Sequence, residues 1–276
     1  MKRVLFSADD FGLSLAVNEG VERAHREGLL STASLMVAGD AAADAVARAR
    51  RLPGLKVGLH LVAIEGPAVL PPSEIPLLVD EYGRFPSDQL RLGLRYFFRP
   101  DVRQQLAREI DAQFDAFIAT GLRLDHANAH KHMHLHPTVG AMLIRSGLRH
   151  GLPALRIPAE PPVPLGGAEA PGARALRRWT RVLRRQARRA GLVVNDHCFG
   201  LAWSGHMTPD RVRALVSRLP DGFSEIYFHP AAGRDALLDR LMPAYEHEAE
   251  LAALCDPVLP KALRRAGVVQ ACWGDC

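Results

Sequence analysis

The sequence predicts an α/β fold, a TIM-barrel-like (β/α) barrel of eight strands or fewer, and three observations carry that expectation. Short apolar runs of strand type alternate with amphipathic stretches of helical period, the pattern of a parallel sheet joined by crossover helices. Polar residues recur at the carboxyl ends of those runs: Asp9 and Asp10, His60, His130, Asp196 and His197, and His229. That is the edge on which barrels and open α/β sheets build their sites. With 276 residues, 48% of them hydrophobic and 24% charged, the chain can bury one large core. Residues 1–276 are expected to form a single barrel domain.

The first run, residues 3–8, ends abruptly in two acids and a glycine, as a buried parallel strand would. Residues 14–27 follow as a helix, with Ser14 as N-cap and Gly28 as its stop. Residues 31–37 read as the second strand and 40–51 as an alanine-rich helix closed by Pro53-Gly54. Residues 56–62 form the third strand, carrying His60. Residues 63–88 are rich in proline and glycine and predict a long loop over the site. Val102, Leu106, Ile110, Phe114 and Phe117 give residues 100–120 a helical stripe. Residues 122–127 resume as a strand, and 138–148 as a helix.

A short strand at 154–157 contains Arg156, and residues 158–173 form a second proline- and glycine-rich insertion. A basic helix is predicted over 173–190, with Leu176, Trp179, Leu183, Ala187 and Ala190 on one side. Eight arginines between Arg174 and Arg189 fill the other. Residues 192–195 are strand-like and 208–219 helical; 224–230 is a strand ending at His229. The tail from 235 to 266 is mostly helix, broken near Pro257–Pro260.

The densest chemistry lies between Leu124 and Pro137, where five of the 12 histidines fall within fourteen residues. Neutral imidazole is the commonest protein ligand for borderline divalent ions. Histidines in one segment cannot all face one ion, so a carboxylate and another histidine must come from elsewhere, with Asp9, Asp10 and His60 as candidates. Each has a plain alternative: Asp9 and Asp10 as turn formers, His60 as a hydrogen-bonded core histidine, the histidine run as a polar strand face. Asp10, His60 and one or two cluster histidines would give about three protein ligands and leave a position for water. An ion so held would acidify a water and polarise a carbonyl oxygen, while Asp9 accepts the water's proton. His229, from another strand, would supply a proton to the departing amine. This is a toolkit for metal-assisted amide or ester hydrolysis.

Four ordered motifs, Ser-Ala-Asp-Asp-Phe-Gly, Gly-Leu-His-Leu, His-x-His-x-His-x-His-Pro and Glu-Ile-Tyr-Phe-His-Pro, resemble the YdjC-like family of carbohydrate deacetylases over about residues 3–256. The resemblance implies a (β/α) barrel that removes N-acetyl groups from sugars with one divalent ion, Zn²⁺ or Mg²⁺. It implies Asp9 as general base, Asp10, His60 and His130 as metal ligands, His229 as the second catalytic residue, and secondary roles for Arg156 and Glu225. The family's usual Asp-x-His stands here as Asn128-Ala129-His130, with Asp125-His126 just upstream, so His126 competes with His130, and His134 is a further candidate. This variant is most similar to the hopanoid-biosynthesis-associated HpnK branch, which implies an N-acetylglucosaminyl hopanoid as substrate. The alternatives are a metal-dependent phosphoesterase, which often uses two ions, and a non-catalytic metal- or sugar-binding protein.

Net charge is +5, a mild excess concentrated in the basic helix. Its arginines suit either an ordinary solvated face or contact with anionic lipid headgroups; no aromatic stacking platform points to nucleic acid, and no glycine-rich motif points to a nucleotide. Val4-Leu5-Phe6 is too short for the apolar region of a secretory signal, and no run approaches the roughly 18–20 apolar residues of a membrane span. A cytoplasmic protein is expected, peripheral to the inner face of the membrane if the basic helix engages lipid. Cys198, Cys255, Cys272 and Cys276 lack a C-x-x-C spacing and are expected as thiols.

Overall fold

The computed structural model describes residues 1–162 and 173–275. Among the described residues nine strands, β1 (Lys2–Phe11), β2 (Thr32–Leu35), β3 (Lys56–Leu61), β4 (Leu124–Ala129), β5 (Ala154–Leu155), β6 (Val193–Val194), β7 (His197–Phe199), β8 (Gly222–Phe228) and β9 (Val268–Gln270), make one sheet. Its order is β6-β5-β4-β3-β2-β1-β8-β7, with β9 beside β1. The named strands pair in parallel throughout. The sheet is the curled, barrel-like α/β architecture expected from the alternation.

β6 and β7 end the path on opposite sides, yet only Asn195 and Asp196 separate them in sequence. The Asn195 side chain accepts from Ile157 N at 2.7 Å and donates to Ile157 O at 2.8 Å, while Cys198 N donates to Ala159 O. This clasp draws the two ends of the sheet together. It also corrects one expectation: Asp196 accepts from Phe223 N at the start of β8, and His197 opens β7 beside Asp221 O. The chain kinks between two partners here, so Asp196 and His197 lie away from the carboxyl rim.

The helices are α1 (Leu15–Glu27), α2 (Ala42–Arg50), α3 (Gln89–Phe98), α4 (Pro100–Ala119), α5 (Pro137–Arg149), α6 (Ala173–Arg189), α7 (Pro209–Val216), α8 (Ala236–Leu241), α9 (His247–Leu254) and α10 (Leu259–Arg265). Ser14 caps α1 through Val17 N. The loop over 63–88 is present, but the sequence reading has no counterpart for α3, or for β9 in the tail. Helix α4 buries the expected stripe of Val102, Leu106, Ile110, Phe114 and Phe117 together with Glu109 and Gln113. These two polar groups hold the loop: Glu109 accepts from Val69 N and Leu70 N, and Gln113 pairs with Val62 N and O. In α6, Leu183 and Ala187 are buried as expected, whereas Trp179 is exposed and Thr180 takes the inward position. The 158–173 insertion lies mostly outside the described residues, as does Cys276; no disulfide forms among the described cysteines. No described helix is long and apolar enough to cross a membrane.

Candidate metal and catalytic site

The site begins with an irregularity in β1. Its register against β2 shifts between Ala8 and Phe11, and Asp10 takes a positive φ of 62°. Such a bulge re-aims side chains, and here it turns two successive carboxylates toward one cavity. Gly12 completes the turn at φ 95°, where a Cβ would stand 3.0 Å from Met36 O. Neighbouring β3 brings His60 level with Asn128 of β4. Next, the segment His130–Leu135 leaves β4 as a tight turn in which Lys131 and His132 both have positive φ. Four non-glycine residues with positive φ occur among those described, Asp10, Glu65, Lys131 and His132, and all four line the same cavity. Backbone strain concentrated in this way is a mark of functional sites.

Asp10 Oδ1 lies 3.3 Å from His60 Nε2 and 3.2 Å from His130 Nδ1, and the two nitrogens are 3.4 Å apart. Ligands about 2.0–2.1 Å from a tetrahedral ion stand about 3.3–3.4 Å from one another, so this triangle has the edge length of such a site. Both Asp10 oxygens are buried without a well-formed hydrogen bond, a costly arrangement for a carboxylate unless a cation completes it. Burial pushes the Asp10 pKa up, but the closeness of His130, then of His60, holds it well below the usual carboxylate range. These three residues can therefore hold a metal ion, and they are the single such group among the described residues. Asn128 prepares the site from behind. Its Oδ1 accepts from His60 Nδ1 at 2.7 Å, which fixes the tautomer and leaves Nε2 free as a ligand.

Beside the triangle, Asp9 is nearly inaccessible and gripped from two sides. Arg156 Nη1 and Nη2 donate to Asp9 Oδ2 and Oδ1 at 2.5 and 2.9 Å, and Asn128 Nδ2 reaches Oδ1 at 3.1 Å. Burial alone would raise the Asp9 pKa; the Arg156 charge, then that of His60, outweighs it and keeps the group ionised. Glu225 accepts from Ser7 Oγ and from Arg156 Nη2. Arg156 also lies 4.8 Å over the Tyr227 ring. Both Arg156 and Glu225 support Asp9 from below and do not line the cavity. His229 does line it, edge-on to Tyr227 and Tyr245. Burial lowers its pKa, so it rests neutral at neutral pH; Nδ1 makes no hydrogen bond and stands 3.8 Å from Glu250 Oε2.

The two reserve histidines go elsewhere. His126 stacks on Trp273 and bonds Ser34 Oγ through Nε2 inside the sheet. His134 donates Nε2–H to Arg156 O, and burial lowers its pKa to about 3. Both are buried supports away from the cavity: His126 lies within β4, two residues before Asn128, where it shares Ser34 with that residue, and the bend after His130 turns His134 toward the Arg156 carbonyl. His132 is the cluster member that the sequence did not single out: it lines the cavity and shares a 3.0 Å hydrogen bond with Tyr227 Oη. Tyr227, Tyr245, Ser204 and the Glu65–Lys131 ion pair also line it; nothing in their spacing marked them. Glu250 was equally silent. It accepts from Met207 N and His229 N, and burial raises its pKa to about 7. The cavity holds about 420 Å³, within the range of ligand clefts, about 300–1,000 Å³.

Fold and site together define an α/β-barrel-like protein with a carboxylate–histidine triad and a buried Asp–Arg pair at the carboxyl rim of its sheet. The chain belongs to the YdjC-like protein family, whose model matches residues 3–265. It is 30% identical over 266 residues to a carbohydrate deacetylase of Geobacillus stearothermophilus, covering 96% of this chain and 94% of that one. A carbohydrate deacetylase of Brevibacillus brevis is 36% identical over 151 residues, 55% of this chain and 58% of that one. Among solved structures, a protein named for cellobiose-phosphate cleavage from Enterococcus faecalis V583 superposes with a TM-score of 0.78 at 22% identity, over 99% of this chain and 98% of that one. That likeness concerns the fold.

Proposed function

We propose that this protein is a metal-dependent carbohydrate N-deacetylase, removing the acetyl group from an N-acetylated amino sugar. The observation that carries the proposal is the Asp10–His60–His130 triangle with Asp9 and His229 on the same cavity; the deacetylase relatives supply the reaction class. A divalent ion bound by the triad would supply Lewis acidity toward the amide oxygen and lower the pKa of a water. The nitrogen-rich donor set leans toward Zn²⁺ over Mg²⁺.

Asp9, ionised at working pH, is the proton acceptor facing that water, oriented by Arg156 and Asn128. A carboxylate held at so low a pKa is a weak base, suited to a water whose own pKa a bound ion would have lowered. His229, neutral at rest, would take up one proton from solvent and deliver it to the amine nitrogen as the C–N bond breaks, while the proton taken by Asp9 would return to solvent. Tyr227, Tyr245 and the side chains of Leu13, Met36 and Leu241 line the walls, a mix of aromatic and apolar surface suited to sugar faces. We extend the reading to a lipid-linked sugar, an N-acetylglucosaminyl hopanoid, on the Asn-Ala-His-Lys-His motif.

Metal-replete protein incubated with N-acetylglucosaminyl lipids and with chitooligosaccharides is expected to release acetate from at least one of them. Release from neither overturns the deacetylase reading, and release from the oligosaccharides alone overturns its lipid extension.

A further inference from the structure

Helix α3 leaves four large apolar side chains in solvent: Leu90, Leu94, Phe97 and Phe98 are 76%, 53%, 49% and 68% exposed. Their spacing, i, i+4, i+7 and i+8, places them in one stripe, opposite the buried Leu92 and Tyr96. Single exposed hydrophobics are ordinary; a contiguous face marks an interaction surface. The helix carries exposed Arg91, half-buried Arg95, whose guanidinium donates to Leu77 O, and no acid, and the flanking Asp88 and Asp101 are already engaged, capping Arg91 N and pairing with Arg99.

A second patch of the same character stands nearby. On α6, Trp179 and Val182 are 46% and 44% exposed, among exposed Arg178, Arg181 and Arg185. Both α3 and α6 pack against α5, and α6 also touches the His130–Leu135 turn. The two helices that carry these patches therefore both pack on α5, the helix that follows the His130–Leu135 turn. A cleft of about 250 Å³ runs from α3 to the site, lined by Gln89 and Gly93 of α3 and by Lys131, His132 and Leu201, which the catalytic cavity shares.

We propose that α3, assisted by the exposed face of α6, docks the protein on an anionic lipid surface, with the cavity mouth toward the headgroup layer. An apolar stripe edged by arginine is the composition of an interfacial helix. A second copy of the chain is the poorer occupant. Two-fold pairing through α3 would set Arg91 and Arg95 against their own counterparts with no acid on the helix to offset them, whereas anionic headgroups supply the opposite charge. Docking deepens the lipid-linked substrate reading but does not depend on turnover. Vesicle binding without acetate release would leave docking standing and remove the deacetylase reading; release without binding would do the reverse.

The test is cosedimentation of the whole protein with vesicles of phosphatidylcholine alone and of phosphatidylcholine with phosphatidylglycerol, for wild type and for the double variant Leu94→Glu/Phe98→Glu. Expected is at least tenfold tighter binding to the anionic vesicles, weakened by salt, and at least a tenfold loss in the double variant at unchanged melting temperature and unchanged hydrolysis of a water-soluble substrate. Failure of the wild type to bind, or undiminished binding by the variant, overturns the proposal. So does a wild-type dimer in sedimentation velocity that the double variant dissolves, which would assign the face to a second copy.

Discussion

Arg156 holds Asp9 in a two-pronged ion pair, Nη1 on Oδ2 and Nη2 on Oδ1, while the same Nη2 reaches Glu225. One guanidinium thus fixes the orientation of the proposed base and neutralises the acid beneath it. Asp9→Asn keeps the shape but loses the charge. It is expected to lower kcat by about 10²–10⁴-fold with metal content unchanged, read by acetate release and elemental analysis; retention of most activity would remove Asp9 from the base role.

Arg156→Leu tests the other half of the pair. Removing one partner of a buried ion pair leaves the other charge uncompensated and costs about 3–5 kcal/mol, here with Glu225 stranded as well. Urea denaturation should show a loss of unfolding free energy of that size, and a loss below about 1 kcal/mol, the scale of exposed pairs, would mean that the carboxylates find other partners.

Metal affinity should divide cleanly between ligand and support. His60→Ala is expected to abolish binding, while Asn128→Ala, which frees the His60 ring to rotate, should weaken it by about 10–100-fold. Titration of chelator-stripped protein with Zn²⁺ measures both. Full occupancy in the His60 variant would show that the triangle is not the metal site.

His134 gives stability a pH dependence. Its folded pKa of about 3 lies below the ordinary 6.5 because burial disfavours the charged ring. Between those values the unfolded chain binds the proton and the folded one does not, so stability falls as pH drops from about 6.5 toward 3 and is fully present above that window. This group contributes a slope of at most about 1.4 kcal/mol per pH unit. Denaturation of His134→Gln, which retains a donor toward the Arg156 carbonyl, should show a flatter acid limb than wild type.

Gly58→Ala should be among the most damaging small substitutions in the sheet. A Cβ there would stand 2.3 Å from His126 Nδ1 and 2.4 Å from His126 O, and neither backbone nor stacked ring can retreat cheaply. Overpacking of this kind typically costs about 1–3 kcal/mol; an unchanged melting temperature would show that β3 and β4 can separate.

Much of this molecule was legible in its sequence because strand ends carry polar residues for a reason. Asp9, Asp10, His60, His130 and His229 meet at one cavity since each ends a strand or follows one in a parallel sheet. The same rule misplaced Asp196 and His197, where the chain changes partner between β6 and β7 and no local signal announces the kink. His126 and His134 illustrate the complementary limit: spacing identifies a cluster, but the position of His126 inside β4 and the bend after His130 decide which rings face the cavity. Tyr227, Glu250 and His132 acquire their positions from contacts between elements far apart in sequence. Likewise, Trp179 fits an apolar period, yet Thr180 is the residue turned inward.

The pairing of Ser7 with Tyr227 across β1 and β8 bears on how the protein is made. Both strands that border the cavity at this seam are needed before Arg156 can neutralise Asp9 and Glu225 together, yet some 220 residues separate them. At about 5–20 residues per second of translation, β1 waits roughly 10–45 seconds for its neighbour. During that interval one edge of β1 is unpaired and Asp9 lacks part of its framework. β2 pairs with the opposite edge of β1 and cannot cover this one, so the site becomes competent only once β8, with Tyr227 and the following His229, has left the ribosome.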